Sequence, residues 1–252
     1  MPYNLRDRNV LVTGGSRGLG AIICERFAAE GANLLINYVS ARDKAEELAE
    51  KCKQSFGVKV AIAQGDVGVA ADCSRLVQET VKQLGGIDVI VNNAGWTRFA
   101  KFGDLNDLSH DEWNKCWHVN VMSQLCLMQE AAPLFNSNPD GGVFLISSSV
   151  AGISCGGSSM GYSVTKAAGI HLMKCLASTQ GPKIRVNAIL PGLLLTDWGK
   201  KYPEERQQFI INSAALKHET YLDDCADSFV STAKNTSITG QQIVVDAGLV
   251  IR

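Results

Sequence analysis

The sequence has no appreciable charge excess: 24 Lys and Arg stand against 25 Asp and Glu, a formal net charge of −1. A protein that grips a phosphate backbone needs a basic surface, so nucleic-acid binding is not expected. No apolar run reaches the length of a membrane span. The first residues, MPYNLRDRNVLVTGG, lack the apolar core and small-residue cleavage site of a secretory signal, which makes the cytoplasm the expected location. Paired cysteines are missing too. The eight cysteines, Cys24, Cys52, Cys73, Cys116, Cys126, Cys155, Cys175 and Cys225, include no C-x-x-C pair. Several lie in apolar runs and read as buried free thiols of a reducing compartment. His110, His118, His171 and His218 form no H-x-x-x-H or similar cluster. With neither ligand type grouped, no catalytic metal is expected. There is no linker, repeat or low-complexity stretch, so residues 1–252 read as one domain.

What is present is an ordinary globular composition, 46% hydrophobic and 19% charged, enough to bury a large core. Short apolar runs alternate with longer amphipathic stretches. Strands are predicted at 9–13, 32–38, 58–63, 87–92, 142–147, 183–190 and 241–246. Helices are predicted at about 18–30, 41–56, 72–84, within 109–135, and at 162–179 and 222–233. Asp111 and Glu112 suit the first turn of the helix after 109, next to its positive dipole end. Near-continuous apolar strands separated by helices argue for a parallel sheet covered on both faces, an α/β doubly wound fold. In such sheets ligands bind beyond the carboxyl ends of the strands.

The first strand runs into Thr13-Gly14-Gly15-Ser16-Arg17-Gly18-Leu19-Gly20. Glycines permit a tight turn and close approach of a pyrophosphate, and the helix that follows points free N–H groups at it. A strand–turn–helix context of this kind reads as a nucleotide site. An acid ending the second strand would bind the ribose 2′-hydroxyl of NAD. Here that strand ends Ile36-Asn37-Tyr38-Val39-Ser40, without one. Arg17 in the turn can fork onto a 2′-phosphate, with Arg42 close behind. NADP(H) is the expected cofactor.

Tyr162 stands four residues before Lys166, in GYSVTK. On a helix the two share a face, and the ammonium is expected to lower the phenol's pKa, making Tyr162 an acid or base near neutral pH. The other strand ends carry small or polar residues: Asp66-Val67, Asn92-Asn93-Ala94-Gly95, Ser147-Ser148-Ser149 and Pro191-Gly192-Leu193-Leu194-Leu195-Thr196.

Taken in this order, TGGSRGLG at 13–20, Asp66, NNAG at 92–95, Asn120, Ser149, YSVTK at 162–166, PGLLLT at 191–196 and ITGQQIVVDAG at 238–248 resemble the classical short-chain dehydrogenases/reductases over nearly the whole chain. The resemblance implies a single-domain Rossmann fold with a seven-stranded parallel sheet, hydride transfer from a nicotinamide, and a homotetramer or homodimer. It implies Tyr162 as general acid or base, Ser149 as the group holding the substrate oxygen, and Lys166 as the partner that lowers the tyrosine pKa and bonds the nicotinamide ribose. Asn120 would hold a water that links Lys166 to solvent. Cofactor contacts would come from Gly14, Ser16, Arg17, Gly18, Leu19 and Gly20, then Ser40, Asp66 and Val67. Further on they would come from Asn93, Ala94 and Gly95, from Tyr162 and Lys166, and from Pro191, Gly192, Leu194 and Thr196.

The family places substrate residues after NNAG, between the serine and the tyrosine, and after PG. These are Trp96 and Phe99; Ile153, Cys155 and Met160; and Leu193, Trp198 and Tyr202. The set is apolar and aromatic, which suits a hydrophobic or aromatic small-molecule ketone. Residues of about 194–211 are charged and amphipathic and read as a lid over the substrate. The leading expectation is an NADPH-dependent carbonyl reductase acting on a small-molecule carbonyl. The alternatives are an NADP-dependent alcohol dehydrogenase and a 3-oxoacyl-thioester reductase. The last calls for a basic docking surface that Arg98 and His118 alone do not make. A non-catalytic NADP(H)-binding sensor or scaffold is the reading from a different class, and the intact Ser149, Tyr162 and Lys166 argue against it.

Overall fold

The computed structural model describes residues 3–251; residues 1, 2 and 252 of the expected domain lie outside the described residues. Seven strands form one parallel sheet in the order 3-2-1-4-5-6-7: β1 (Asn9–Val12), β2 (Asn33–Tyr38), β3 (Val60–Gln64), β4 (Val89–Asn92), β5 (Gly142–Ser147), β6 (Ile184–Pro191) and β7 (Gln242–Val245). Because β3 returns to β4 on the far side of β1, winding reverses between β1 and β4. This is the switch point where such sheets leave a crevice for ligand.

Alternation along the central strands decides which helices cover which face. Val10, Val12, Leu34, Ile36, Val89 and Val91 point into the core shared with α1 (Gly18–Ala29), α2 (Arg42–Phe56) and α8 (Leu222–Lys234). Leu11, Leu35, Ile90, Phe144 and Ile146 point the other way, against α3 (Ala70–Leu84), α5 (Ser123–Ser137) and α6 (Met160–Gln180). Phe27 and Phe229 anchor the first core and Phe135 and Phe144 the second, all fully buried. Each such ring contributes roughly 2–3 kcal/mol by leaving water.

The stretch expected to hold one long helix is three pieces. Helix α4 (His110–Trp117) opens with a capping box between Ser109 and Glu112. A π turn (His118–Met122) follows and passes into α5. The wider turn shifts the helix register and turns Asn120 inward, where it is buried. Periodicity alone does not announce such a turn. The expected lid is likewise ordered, as a short 3₁₀ turn (Gly199–Lys201) and α7 (Glu204–Ser213). Among the described residues, no helix is long and apolar enough to cross a membrane, and no three His, Cys, Asp or Glu converge as metal ligands.

Candidate active site

The Gly-rich turn after β1 is built by interlocking backbone. Gly14 and Gly18 adopt φ of 60° and 55°, which favours glycine. Gly20 has no room for a side chain, since a Cβ there would fall 2.3 Å from the Gly14 carbonyl oxygen and 2.6 Å from Asn93 Nδ2. The Gly14 N–H donates to Asn37 Oδ1 at 3.0 Å, and Asn37 Nδ2 donates to the Gly65 carbonyl at 2.9 Å. Asn37 thus ties the turn to the ends of β2 and β3. Thr13 Oγ1 accepts from the N–H groups of Asn93 and Ala94, both at 3.0 Å, and Asn93 Nδ2 donates back to the Thr13 carbonyl at 3.0 Å. Turn and NNAG segment form one unit. The loop after β6 joins it: a Cβ on Gly18 would lie 3.3 Å from Thr196 Cγ2.

Around this unit the other expected cofactor residues fall as follows. Ser16 and Leu19 are buried, whereas Arg17, at the N-cap of α1, and Ser40 are exposed. Arg42 is engaged by Glu46 at 2.8 Å, so Arg17 is the better placed guanidinium. Asp66 Oδ1 accepts from the Gly68 N–H at 2.9 Å, and Val67 is buried beside it. Pro191 ends β6, and the Gly192 N–H donates to the Val245 carbonyl at 2.9 Å. The Thr196 N–H donates to the Leu194 carbonyl at 2.9 Å, which turns that loop back on itself.

Tyr162 and Lys166 sit in the first two turns of α6. Ser159 caps that helix, accepting from the Tyr162 N–H at 3.1 Å. Ser149 caps a 3₁₀ turn (Val150–Ile153), accepting from the Ala151 N–H at 3.1 Å. Ser163 Oγ pins that turn to α6 by donating to the Ala151 carbonyl at 2.7 Å. That places the Ser149 hydroxyl on the Tyr162 side of the site, near enough to favour the phenolate. Lys166 is buried; its Nζ donates to the Ser147 carbonyl at 2.8 Å and lies 5.4 Å from the Tyr162 ring centroid. Asn120 Oδ1 accepts from the Trp96 N–H at 2.8 Å, while Nδ2 donates to the Trp96 carbonyl at 2.9 Å and to Thr165 Oγ1 at 3.0 Å. A Cβ on Gly95 would lie 3.4 Å from Asn120 Oδ1 and 3.6 Å from Lys166 Nζ, so the NNAG backbone closes directly over both groups.

The electrostatics correct one expectation. Burial raises the Tyr162 pKa well above that of an ordinary phenol, with Ser149 pulling the other way. Lys166, itself pushed down by burial, loses its proton before so hindered a phenol would, so its charge does not bring the phenol down to neutral pH. Burial lowers Lys166 to about 8. Between that value and an unfolded lysine's higher one, the unfolded chain binds more protons. The contribution of this group therefore makes stability rise with pH above about 8. Below about 8 the penalty is complete. Lys166→Met is expected to raise stability at neutral pH by roughly 1–3 kcal/mol while abolishing turnover. Thermal melts at neutral and alkaline pH check this, the gain shrinking as pH rises.

The substrate side is aromatic. The Trp198 ring packs on Tyr162, with centroids 5.6 Å apart, and its Cη2 lies 3.8 Å from where a Gly95 Cβ would be. Tyr202 meets Phe99 edge-on at 4.8 Å, and Lys115 lies over Trp96 at 5.0 Å. Ile153 and Met160 are half-buried on either side of the turn to α6, while Cys155 is exposed. Leu193 is buried, and a Cβ on Gly199 would lie 3.6 Å from its Cδ1, so it packs beneath the 3₁₀ turn at Gly199–Lys201. Thr13 and Thr165 lie within TGGSRGLG and YSVTK but were given no role there, and Asn37 and Gln124 were not singled out; all four hold functional groups through bonds to distant parts of the chain.

Residues 14–250 match the family described as enoyl-(acyl carrier protein) reductase. The chain is 31% identical over 250 residues to the 3-oxoacyl-(acyl-carrier-protein) reductase FabG of Staphylococcus epidermidis, covering 96% of this chain and 99% of that protein. It is 30% identical over 263 residues to a short-chain dehydrogenase/reductase of Pestalotiopsis microspora, covering 98% and 97%. A solved short-chain dehydrogenase from Burkholderia cenocepacia, in complex with NADP, superposes with a TM-score of 0.90 at 29% identity, covering 98% of this chain and 99% of that one. A 7α-hydroxysteroid dehydrogenase, complexed with NADH and 7-oxo glycochenodeoxycholic acid, gives 0.89 at 29% identity, covering 97% and 96%. The chain belongs to the short-chain dehydrogenase/reductase family of oxidoreductases.

Proposed function

We propose that this protein is an NADPH-dependent carbonyl reductase acting on apolar or aromatic small-molecule ketones. The observation that carries this reading is the convergence of Ser149, Tyr162 and Lys166 at the carboxyl ends of the strands, against the NNAG backbone. The Gly-rich turn suits a dinucleotide: Gly20 leaves no space for a Cβ, and α1 opens there with its N–H groups free. The acid-free end of β2 and the exposed Arg17 favour a 2′-phosphate. The NADP complex of the Burkholderia relative agrees with this.

A bound nicotinamide supplies the hydride. As it reaches the carbonyl carbon, charge develops on oxygen, and Ser149 and Tyr162 donate hydrogen bonds there. A phenol with a raised pKa is fully protonated at neutral pH, which suits an acid that delivers the proton. Asn120 clamps Trp96 and so fixes the wall of the pocket. Trp198 and Tyr202 close the pocket as parts of the lid. Trp117 and Val164 are exposed on the packed helices α4 and α6 and would be covered in the expected homotetramer.

Arg17→Ala is expected to raise the KM for NADPH by roughly tenfold, the worth of a charge-assisted contact, and to leave the KM for NADH unchanged. Parallel steady-state assays with the two cofactors check this; equal effects on both would remove Arg17 from 2′-phosphate recognition. The FabG relative favours a second reading, reduction of a 3-oxoacyl thioester. Against it, Arg98 is paired with both Asp107 and Glu112, and the His118 ring nitrogen is held by the Asn114 carbonyl, so neither offers a free charge to an acidic carrier. Comparing an aryl ketone with a 3-oxoacyl thioester separates the two readings.

A further inference from the structure

In the seam between α5 and α6, beside Gly169, lies a buried amide that the reaction just described does not use. Gln124 follows Asn120 by one helical turn and is 2% exposed. Its Nε2 donates to the Asn120 carbonyl at 2.8 Å. Its Oε1 is buried and has no hydrogen-bond partner among the described residues. Helix α6 makes room for this amide with a glycine: a Cβ on Gly169 would fall 2.5 Å from Gln124 Nε2 and 3.3 Å from the Asn120 carbonyl oxygen. Gly169 lies three residues after Lys166, on the same helix.

A half-satisfied amide between two helices carries a desolvation cost that an apolar residue of the same shape would avoid. Packing alone therefore does not account for Gln124. Both side-chain atoms of Asn120 are committed to Trp96 and Thr165, and its carbonyl is shared with Gln124. The free acceptor of the cluster is Gln124 Oε1. A buried polar atom of this kind is ordinarily matched by an internal water with further polar partners.

We propose that Gln124 is a positioning residue for proton supply, its Oε1 holding, with the Asn120 carbonyl, an internal water that feeds protons toward Lys166. The proposal rests on the carbonyl-reductase reading. The balance is one proton per turnover. Tyr162 gives its phenolic proton to the alkoxide formed by hydride addition. The phenolate is reprotonated from the Lys166 side, Lys166 recovers a proton from the held water, and that water recovers one from solvent. A lysine poised near pKa 8 suits such an exchange. Gln124 thereby shares the water-holding role expected of Asn120.

Two variants test the proposal. Gln124→Met keeps the length of the side chain and removes its amide. Gly169→Ala keeps Gln124, favours the helix, and drives the amide from its seat. Both are expected to lower kcat for ketone reduction by at least about tenfold. The solvent deuterium isotope effect should grow and the KM for NADPH should stay unchanged. A crystal structure of the wild type is expected to show a water bonded to Gln124 Oε1, lost in Gln124→Met. Folded variants with unchanged kcat and unchanged isotope effect would overturn the proposal. So would a wild-type crystal in which Oε1 bonds only protein, a readout that stands even without turnover. Absence of turnover by the wild type would instead count against the carbonyl-reductase reading.

Discussion

Tyr162→Phe is expected to lower kcat by about a thousandfold while leaving NADPH affinity within about twofold of the wild type. The loss follows from position. The phenol lies near Ser149 and sits above Lys166, where oxygen charge would develop, and it is the only one of the three that can carry a proton directly to that oxygen. Ser149 stays to polarise the carbonyl, so a residue of activity survives. The fold should tolerate the change. The ring keeps its contact with Trp198, and the residue is only half-buried. Steady-state kinetics with a fluorescence titration of NADPH separates the two effects. Activity within tenfold of wild type would take the proton away from Tyr162.

Gly20→Ala is expected to weaken NADPH binding by about a hundredfold and to lower Tm by several degrees. The new methyl would lie 2.3 Å from the Gly14 carbonyl oxygen and 3.0 Å from the Gly14 carbonyl carbon, both backbone atoms, so no side-chain rotation relieves the clash. Gly14 cannot simply retreat, because Asn37 and Asn93 hold it on two sides. The turn must open, and the N–H groups of α1 then lose their aim. Gly103→Ala is the control, since nothing lies within 4 Å of a Cβ there. NADPH titration and thermal melts of both variants are the measurements; wild-type affinity in Gly20→Ala would show that the turn does not seat the cofactor.

The α/β architecture was legible because buried parallel strands are continuous apolar runs, such as those around Leu11, Leu35 and Ile90. The candidate site was legible where chemistry is local: the glycines of the turn, and the four-residue spacing of Tyr162 and Lys166. The same spacing misled about charge. It fixes that the two residues are neighbours, but it does not say that Lys166 is buried or that its ammonium turns to the Ser147 carbonyl. The π turn at Asn120 was invisible because it depends on packing against α6 and leaves no residue signature. The roles of Thr13, Asn37 and Gln124 went unread for a related reason. Each acts through bonds that depend on how the chain folds back, as Thr13 does with Asn93 and Ala94. The lid was read as charged and amphipathic. In the fold its helix α7 has no buried residue, while Trp198 and Tyr202 turn inward to meet Tyr162 and Phe99.

Carbonyl reduction is measured by following NADPH oxidation, with NADH in parallel, against a panel of aliphatic, bicyclic and aryl ketones and quinones. Turnover of apolar or aromatic ketones with a clear preference for NADPH is the predicted result. Tight NADPH binding without turnover of any carbonyl would contradict the account, and turnover with NADH alone would contradict its reading of Arg17 and the end of β2.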